Sequence, residues 1–153
     1  MNKVNKEIAF NAVICALYVV LCFTLNSISF GALQFRVATM LLPLGCIDKR
    51  FAKGIILGVI IANLTSSLGI IDIIVGATIE ILLYYVFAQV LKNVYLLGFI
   101  YALLSGTLVG AELFYVLGVP FVYSLVTVGL SGLILYMAGV PFCKTILKRT
   151  AWK

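Results

Sequence analysis

Long apolar stretches separated by short polar segments run through the whole chain, and six of them are long enough to be candidate membrane-spanning helices. A helix that crosses a bilayer needs about 20 apolar residues. At about 1.5 Å per residue the second stretch covers only about 22 Å, so re-entrant insertion is the alternative to a crossing there. The pattern predicts spans at 8–25, 33–47, 55–68, 70–91, 94–117 and 122–147.

The positive charges decide between these alternatives. With six crossings, ten of the eleven lysines and arginines fall on one side of the membrane and only Arg36 falls on the other. Cytoplasmic loops carry an excess of Lys and Arg, whereas five crossings would leave the basic tail KTILKRTAWK outside. We therefore predict an all-α integral membrane protein, a six-helix bundle with both termini in the cytoplasm.

The composition supports a membrane protein with one domain. The 153 residues are 64% hydrophobic and 10% charged, with a mean hydropathy of +1.22, against roughly a quarter charged in a soluble domain. No soluble fold of this size has enough interior to bury that much apolar surface. We predict a single transmembrane domain over 1–153, with the first helix retained rather than cleaved as a signal peptide.

Several classes of chemistry lack their usual residues. The chain has no histidine, no Gly-rich phosphate loop and no CxxC pair, so we expect neither an enzyme with its own ATPase motif nor a metal or cofactor site. The net charge of +6 is explained by topology-determining cations that face anionic lipid headgroups, and we expect no nucleic-acid partner. The four cysteines fall singly in apolar stretches, at Cys15, Cys22, Cys46 and Cys143.

A few polar side chains lie at membrane depth. An ionisable group inside a bilayer is costly and usually faces the bundle interior. Positions 72, 76 and 80 share one helical face, with Asp72 at its outer end and Glu80 about 12 Å deeper. In the predicted topology these groups converge on an outward-facing pocket. Its candidate residues are Gln34, Arg36, Asn63, Asp72, Glu80, Glu112 and Tyr115.

The alternative to a binding pocket is an internal salt bridge, of Arg36 with Asp72 or Glu80, that only holds the bundle together. One arginine cannot neutralise three carboxylates, however. The remaining carboxyl groups must be protonated, hydrated or available to a ligand that donates hydrogen bonds.

Small residues four apart predict close helix packing. Gly54, Gly58 and Ala62 in the third span, and Gly106 and Gly110 in the fifth, predict packing inside the bundle. The pair in the first span, Ala12 and Ala16, instead predicts an outward face that packs against another membrane protein.

Several stretches resemble a known family. FGALQFRVATMLLPL, GVIIANLTSSLGIIDIIVGATIEIL and LVGAEL with GVPF resemble the substrate-binding S components of energy-coupling-factor (ECF) transporters, in particular the QueT-like group associated with queuosine precursors. The family pattern has a glutamate at the position of Thr39 and a threonine at the position of Glu80. This difference predicts that a pocket carboxylate has moved from the second helix to the fourth, and it makes Thr39 a further candidate site residue.

The resemblance implies a partner and a mechanism. Ala12 and Ala16 match the AxxxA motif that contacts the transmembrane coupling protein (T component). Two separate ATPase subunits would supply energy, and the S component would topple in the plasma membrane of a prokaryote to carry its ligand inward.

The ligand expected from this resemblance is a deazaguanine precursor of queuosine. Its N–H and amino donors suit Glu80 or Glu112, and Tyr84, Tyr115 or Tyr123 are candidates for stacking on its ring. The alternatives are an S component for another vitamin-like heterocycle, a solitary proton-coupled carrier that uses Glu80 or Glu112, and a scaffold without a ligand.

Overall fold

The computed structural model describes residues 3–24 and 36–149, and every regular element in this part of the chain is helical. The second helix begins with 3-10 turns at Val37–Leu41, and a short 3-10 segment at Lys49–Phe51 leads into the third. The fourth helix contains π-helical turns at Leu82–Phe87. The six helices are α1 (Lys3–Thr24), α2 (Val37–Ile47), α3 (Ala52–Asn63), α4 (Ile70–Val90), α5 (Val94–Leu117) and α6 (Phe121–Arg149).

Four of these helices, α1, α4, α5 and α6, are long and apolar enough to cross a membrane. The two others are shorter: α2 covers Val37–Ile47, and α3 has 12 residues, or about 18 Å. In the predicted stretch 55–68 the helix ends at Asn63. Backbone hydrogen bonds at Leu64, Thr65 and Ser66 then form turns. The protein is therefore an all-helical integral membrane protein.

The outer surface of the bundle is apolar. Large hydrophobic side chains such as Ile70, Val90, Leu103 and Val122 are strongly exposed, as expected for helices surrounded by lipid, while the interior combines apolar packing with a few buried polar groups. The helices run alternately between two ends. We call the end where α1 begins and α6 finishes the termini end, and the opposite one the far end.

Glycines allow the backbones to approach closely at two helix pairs. A Cβ at Gly106 of α5 would lie 2.8 Å from the carbonyl oxygen of Leu125 of α6. A Cβ at Gly54 of α3 would lie 2.6 Å from the carbonyl oxygen of Asn11 of α1. These contacts confirm that the small-residue repeats of α3 and α5 pack inside the bundle.

The π-helical turns of α4 lie on the termini-end side of the most polar part of the bundle. They begin two residues after Glu80 and contain the fully buried Tyr84. The Tyr84 hydroxyl donates a hydrogen bond of 3.1 Å to the carbonyl oxygen of Leu42, and its ring packs against Gly45. This contact fixes α2 against α4 at the inner edge of the candidate site described below.

Candidate functional site

A small polar cavity lies inside the far half of the bundle, and all six helices or their ends contribute to its wall. Its volume is about 30 Å³, enough for about one water molecule. The residues that line it carry charged, hydroxyl, aromatic and aliphatic side chains, and two of them are glycines. They are Tyr18, Arg36, Thr39, Val59, Asp72, Gly76, Ile79, Glu80, Tyr101, Ser105, Val109, Val128 and Gly132.

An ion pair forms the part of the cavity wall nearest the far end. Nη2 of Arg36 lies 3.1 Å and 3.2 Å from the two carboxylate oxygens of Asp72, and their side chains are 13% and 1% exposed. Asp72 lies in the first turn of the α-helix Ile70–Ile81, where the helix dipole favours a negative charge. Of the two salt bridges that the sequence allowed, the structure forms the one with Asp72.

Asn63 supports this ion pair from α3. Its side-chain Nδ2 donates a hydrogen bond of 2.8 Å to the backbone carbonyl oxygen of Asp72. A Cβ at Gly76 would lie only 2.5 Å from the same Nδ2 atom. The gap that the missing side chain of Gly76 leaves is therefore filled by Asn63.

Glu80 lies two turns deeper on the same face of α4 and is 3% exposed. Its Oε2 atom has no hydrogen-bond partner within residues 3–24 and 36–149. Four residues that carry hydroxyl groups, Tyr18, Thr39, Tyr101 and Ser105, line the same cavity. Because a buried carboxyl oxygen is costly when it is unpaired, Glu80 is available to a ligand or a water molecule.

Glu112 lies on α5 and is also buried, although it does not line the cavity. Neither of its carboxyl oxygens has a hydrogen-bond partner in the described part of the chain. It lies within electrostatic range of Asp72 and Arg36, so it belongs to the same polar region. The buried Ser124 of α6 likewise has an unpaired hydroxyl among the described residues.

The other predicted site residues are distributed as follows. Thr39 is buried in the cavity wall, whereas Tyr115 is 83% exposed on the apolar exterior, away from the cavity. Gln34 lies outside the described residues. Ala12 and Ala16 are both exposed on α1.

Tyr18 and Tyr101 are cavity residues that sequence reasoning missed. Tyr101 stacks on Tyr136, with ring centroids 5.8 Å apart and an interplanar angle of 26°. A signal for Tyr101 was present, because positions 101, 105 and 112 follow helical spacing along one face of α5. That face carries Ser105 and Glu112.

The arrangement places a buried carboxyl group, several residues with hydroxyl groups and aromatic rings around one partly enclosed space. This set can accept hydrogen bonds from the N–H groups of a flat heterocycle and pack against its faces. Small-molecule pockets usually have volumes of about 300–1,000 Å³. A ligand of that kind would therefore have to widen the cavity as it enters.

Comparison with known proteins identifies the family. The family described as QueT transporter matches residues 8–148. The Queuosine precursor transporter QueT of Lactococcus lactis subsp. cremoris (strain MG1363) is 38% identical over 72 residues, which cover 46% of this chain and 42% of that protein. No solved structure matches the chain.

The family match and the four long apolar helices establish a multi-pass protein of a prokaryotic plasma membrane. The chain belongs to the QueT transporter family.

Proposed function

We propose that this protein is the substrate-binding S component of an ECF-type importer, and that its ligand is a deazaguanine precursor of queuosine. The observation that carries the proposal is a partly enclosed cavity lined by Glu80 together with residues that carry hydroxyl and aromatic groups. Glu80 is buried, and one of its carboxyl oxygens is unpaired among the described residues. Membership of the QueT transporter family and the name of the Lactococcus relative support the choice of ligand.

The proposed topology has six crossings, with α2 and α3 as short spans and both termini in the cytoplasm. Its support is the distribution of charge. Lys49 and Arg50 precede α3 at the termini end, Lys53 lies in the first turn of α3, and Lys148 and Arg149 end α6 at the same end. Arg36 lies at the cavity, toward the far end. The positive-inside rule then makes the far end extracellular, so that the cavity accepts its ligand from outside.

The proposed recognition assigns one role to each group. Glu80 accepts hydrogen bonds from the adjacent N–H and amino groups of a guanine-like edge, and Tyr18 and Tyr101 pack against its ring. Arg36 is held by Asp72 and donates to a ligand carbonyl at the outer rim. The hydroxyl of Thr39 forms a hydrogen bond with the remaining polar edge of the ligand.

Three further predicted residues have supporting roles in this proposal. Glu112 suits the cationic aminomethyl group of a precursor that carries one, because a carboxylate attracts a cation within the low-dielectric interior. Asn63 orients Asp72. Gln34 would read a ring nitrogen or carbonyl.

The proposed partners are a T component and two ATPase subunits. Ala12 and Ala16 lie four residues apart on α1 and are exposed, which leaves a smooth strip for close packing of a partner helix. The absence of a phosphate loop from the sequence is consistent with energy supplied by other subunits.

Binding measurements on the purified subunit test the proposal. We expect tight binding of a deazaguanine precursor, and binding at least about tenfold weaker in Glu80→Gln, because a hydrogen bond to a charged group contributes about 1.5–3 kcal/mol. Asp48→Asn removes a carboxylate at the termini end and is the matched control, with unchanged affinity expected. Micromolar or weaker binding of every deazapurine, together with tight binding of another vitamin-like heterocycle, would assign a different ligand.

One observation favours a second candidate function. Both oxygens of Glu112 and one oxygen of Glu80 are buried and unpaired among the described residues, as in a carrier that couples transport to protons. Uptake into vesicles that contain this protein alone, driven by a proton gradient, would support such a carrier. Uptake that requires the coupling protein and ATP would exclude it.

A further inference from the structure

A second and larger cavity lies at the termini end, between α1 and the beginning of α3. Its volume is about 620 Å³. We call it the α1–α3 groove. One part of its wall is basic, with Lys49, Arg50 and Lys53, and another part is apolar, with Ile8, Ala12 and Leu57. The groove therefore combines positive charge and apolar surface at one edge of the bundle.

The basic part of the groove carries an excess of positive charge. Arg50 is paired with Asp48 through a hydrogen bond of 2.6 Å from Nη2, whereas Lys49 and Lys53 form no ion pair among the residues that the structure describes. Lys49 donates one hydrogen bond to the neutral side chain of Gln89. Glu7 contributes the single carboxylate of the lining, so the groove keeps a net attraction for an anion.

The floor of the groove is held in place by Asn11. Its Nδ2 donates to the carbonyl oxygen of Arg50 at 2.9 Å, and its Oδ1 accepts from the amide of Gly54 at 2.7 Å. These two hydrogen bonds tie α1 to the start of α3. Direct contacts therefore set the separation of α1 and α3 at the groove.

The apolar part of the groove continues onto the lipid-facing surface. Ile8 and Leu57 are 64% and 51% exposed, and Ala12 between them is small and exposed. A molecule that matches the whole groove needs an anionic group for Lys49 and Lys53 and a hydrocarbon chain for this strip. A phospholipid with a net negative headgroup has both features, since basic pockets between helices at the cytoplasmic side bind such headgroups.

We infer that the α1–α3 groove binds one anionic phospholipid, with its phosphate at Lys49 and Lys53 and an acyl chain along Ile8, Ala12 and Leu57. The lipid covers Ala12, which is also part of the face proposed for the coupling protein. It therefore occupies this face while the subunit is alone. The inference rests on the proposed topology, in which the termini end is cytoplasmic, and does not depend on the identity of the transported ligand.

Native mass spectrometry of the purified full chain tests this inference. Detergent micelles would contain either phosphatidylglycerol or phosphatidylcholine with identical acyl chains. We expect one phosphatidylglycerol retained on the order of tenfold more strongly than phosphatidylcholine, since each lysine contributes about 1 kcal/mol near an anionic headgroup. The double variant Lys49→Gln/Lys53→Gln should lose that preference.

A matched control removes the same charge elsewhere. Lys92 and Lys148 are exposed and do not line the groove, so Lys92→Gln/Lys148→Gln should keep the preference for phosphatidylglycerol. An unchanged thermal midpoint in both double variants shows that the fold is retained. Equal retention of phosphatidylglycerol in the two double variants, or equal retention of the two lipids by the unmodified protein, would overturn the inference.

Two further measurements separate the lipid from other occupants. Glycerophosphoglycerol, the headgroup without acyl chains, should not displace the bound lipid at an equal concentration, and displacement would show a site for small phosphates instead. The second measurement is co-purification with the coupling protein. If Lys49→Gln/Lys53→Gln abolishes that co-purification but leaves lipid retention unchanged, the groove belongs to a protein partner and the inference fails.

Discussion

The two ends of the bundle use the same kinds of interaction in different surroundings. At the far end, Arg36 pairs with Asp72 and Asn63 reaches across to α4. At the termini end, Arg50 pairs with Asp48 and Asn11 reaches across to α3. The first ion pair has side chains 13% and 1% exposed, and the second has side chains 37% and 20% exposed.

The difference in burial separates their roles. An exposed ion pair contributes little to stability because water screens both charges. In a buried ion pair each charge needs the other, since removal of one partner leaves an uncompensated charge in a low-dielectric interior. The far-end pair therefore fixes the shape of a cavity wall, whereas the termini-end pair mainly orders a short connection between α2 and α3.

The largest expected effect comes from breaking the buried pair. Asp72→Asn keeps the size of the side chain but leaves the Arg36 guanidinium without this carboxylate, and we expect a loss of about 3–5 kcal/mol in the free energy of unfolding. Denaturant unfolding in micelles measures it. The double variant Arg36→Met/Asp72→Leu should be more stable than Asp72→Asn, because it removes both charges. A double variant less stable than the single would contradict this account.

Intermediate effects are expected from alanine at the two glycines that the asparagines contact. A Cβ at Gly54 meets the carbonyl oxygen of Asn11 at 2.6 Å, a backbone atom that cannot move away, whereas a Cβ at Gly76 meets the movable side-chain amide of Asn63. Overpacking of this kind costs about 1–3 kcal/mol. We expect Gly54→Ala to lie at the upper end of this range and Gly76→Ala at the lower end.

The same denaturant series in micelles measures both glycine variants. Alanine forms helices better than glycine by about 1 kcal/mol, so any destabilisation reflects the contact and not helix propensity. Stabilisation by Gly54→Ala would contradict the close approach of α1 and α3.

The smallest expected effect concerns the partly exposed pair of Arg50 and Asp48 and its dependence on pH. Hydrogen bonds from the Arg50 side chain hold the pKa of Asp48 below its ordinary value. A depressed pKa in the folded state contributes stability above the unfolded-state pKa of about 3.9, and this contribution is lost as the pH falls through the folded-state pKa. Asp48→Asn should therefore cost at most about 1 kcal/mol at pH 7.

The pH dependence provides the check on that pair. The difference in the free energy of unfolding between the unmodified protein and Asp48→Asn should shrink as the pH is lowered below about 4. A difference that stays constant from pH 7 to pH 3 would show that Asp48 acts without its charge.

The sequence predicts the helical fold and the approximate position of the site, because both depend on local patterns. Apolar length identifies the long helices, and a spacing of four places Asp72 and Glu80 on one face. The partner of Arg36 could be narrowed only to these two carboxylates. The choice between them depends on how α2 lies against α4, which no local pattern records.

The tyrosines show the same limit. Tyr115 and Tyr101 both share a helical face with Glu112, yet Tyr115 is exposed on the exterior and Tyr101 lines the cavity. Tyr115 follows Glu112 by three residues but lies near the end of α5, where the same helical face has different surroundings. Gly76 is a related case: the missing side chain predicts close approach, but only the tertiary structure identifies Asn63 as the group that fills the space.

The π-helical turns at Leu82–Phe87 have a consequence for the two ends of α4. A π turn accommodates one residue more than an α-helical turn, so every later position is rotated by about 100° relative to an uninterrupted helix. The π turns therefore set the direction in which Gln89 faces relative to Glu80, although both residues lie on the same helix. Deletion of a single residue within Leu82–Phe87 would swing Gln89 away from Lys49 while leaving the acidic face aimed at the cavity.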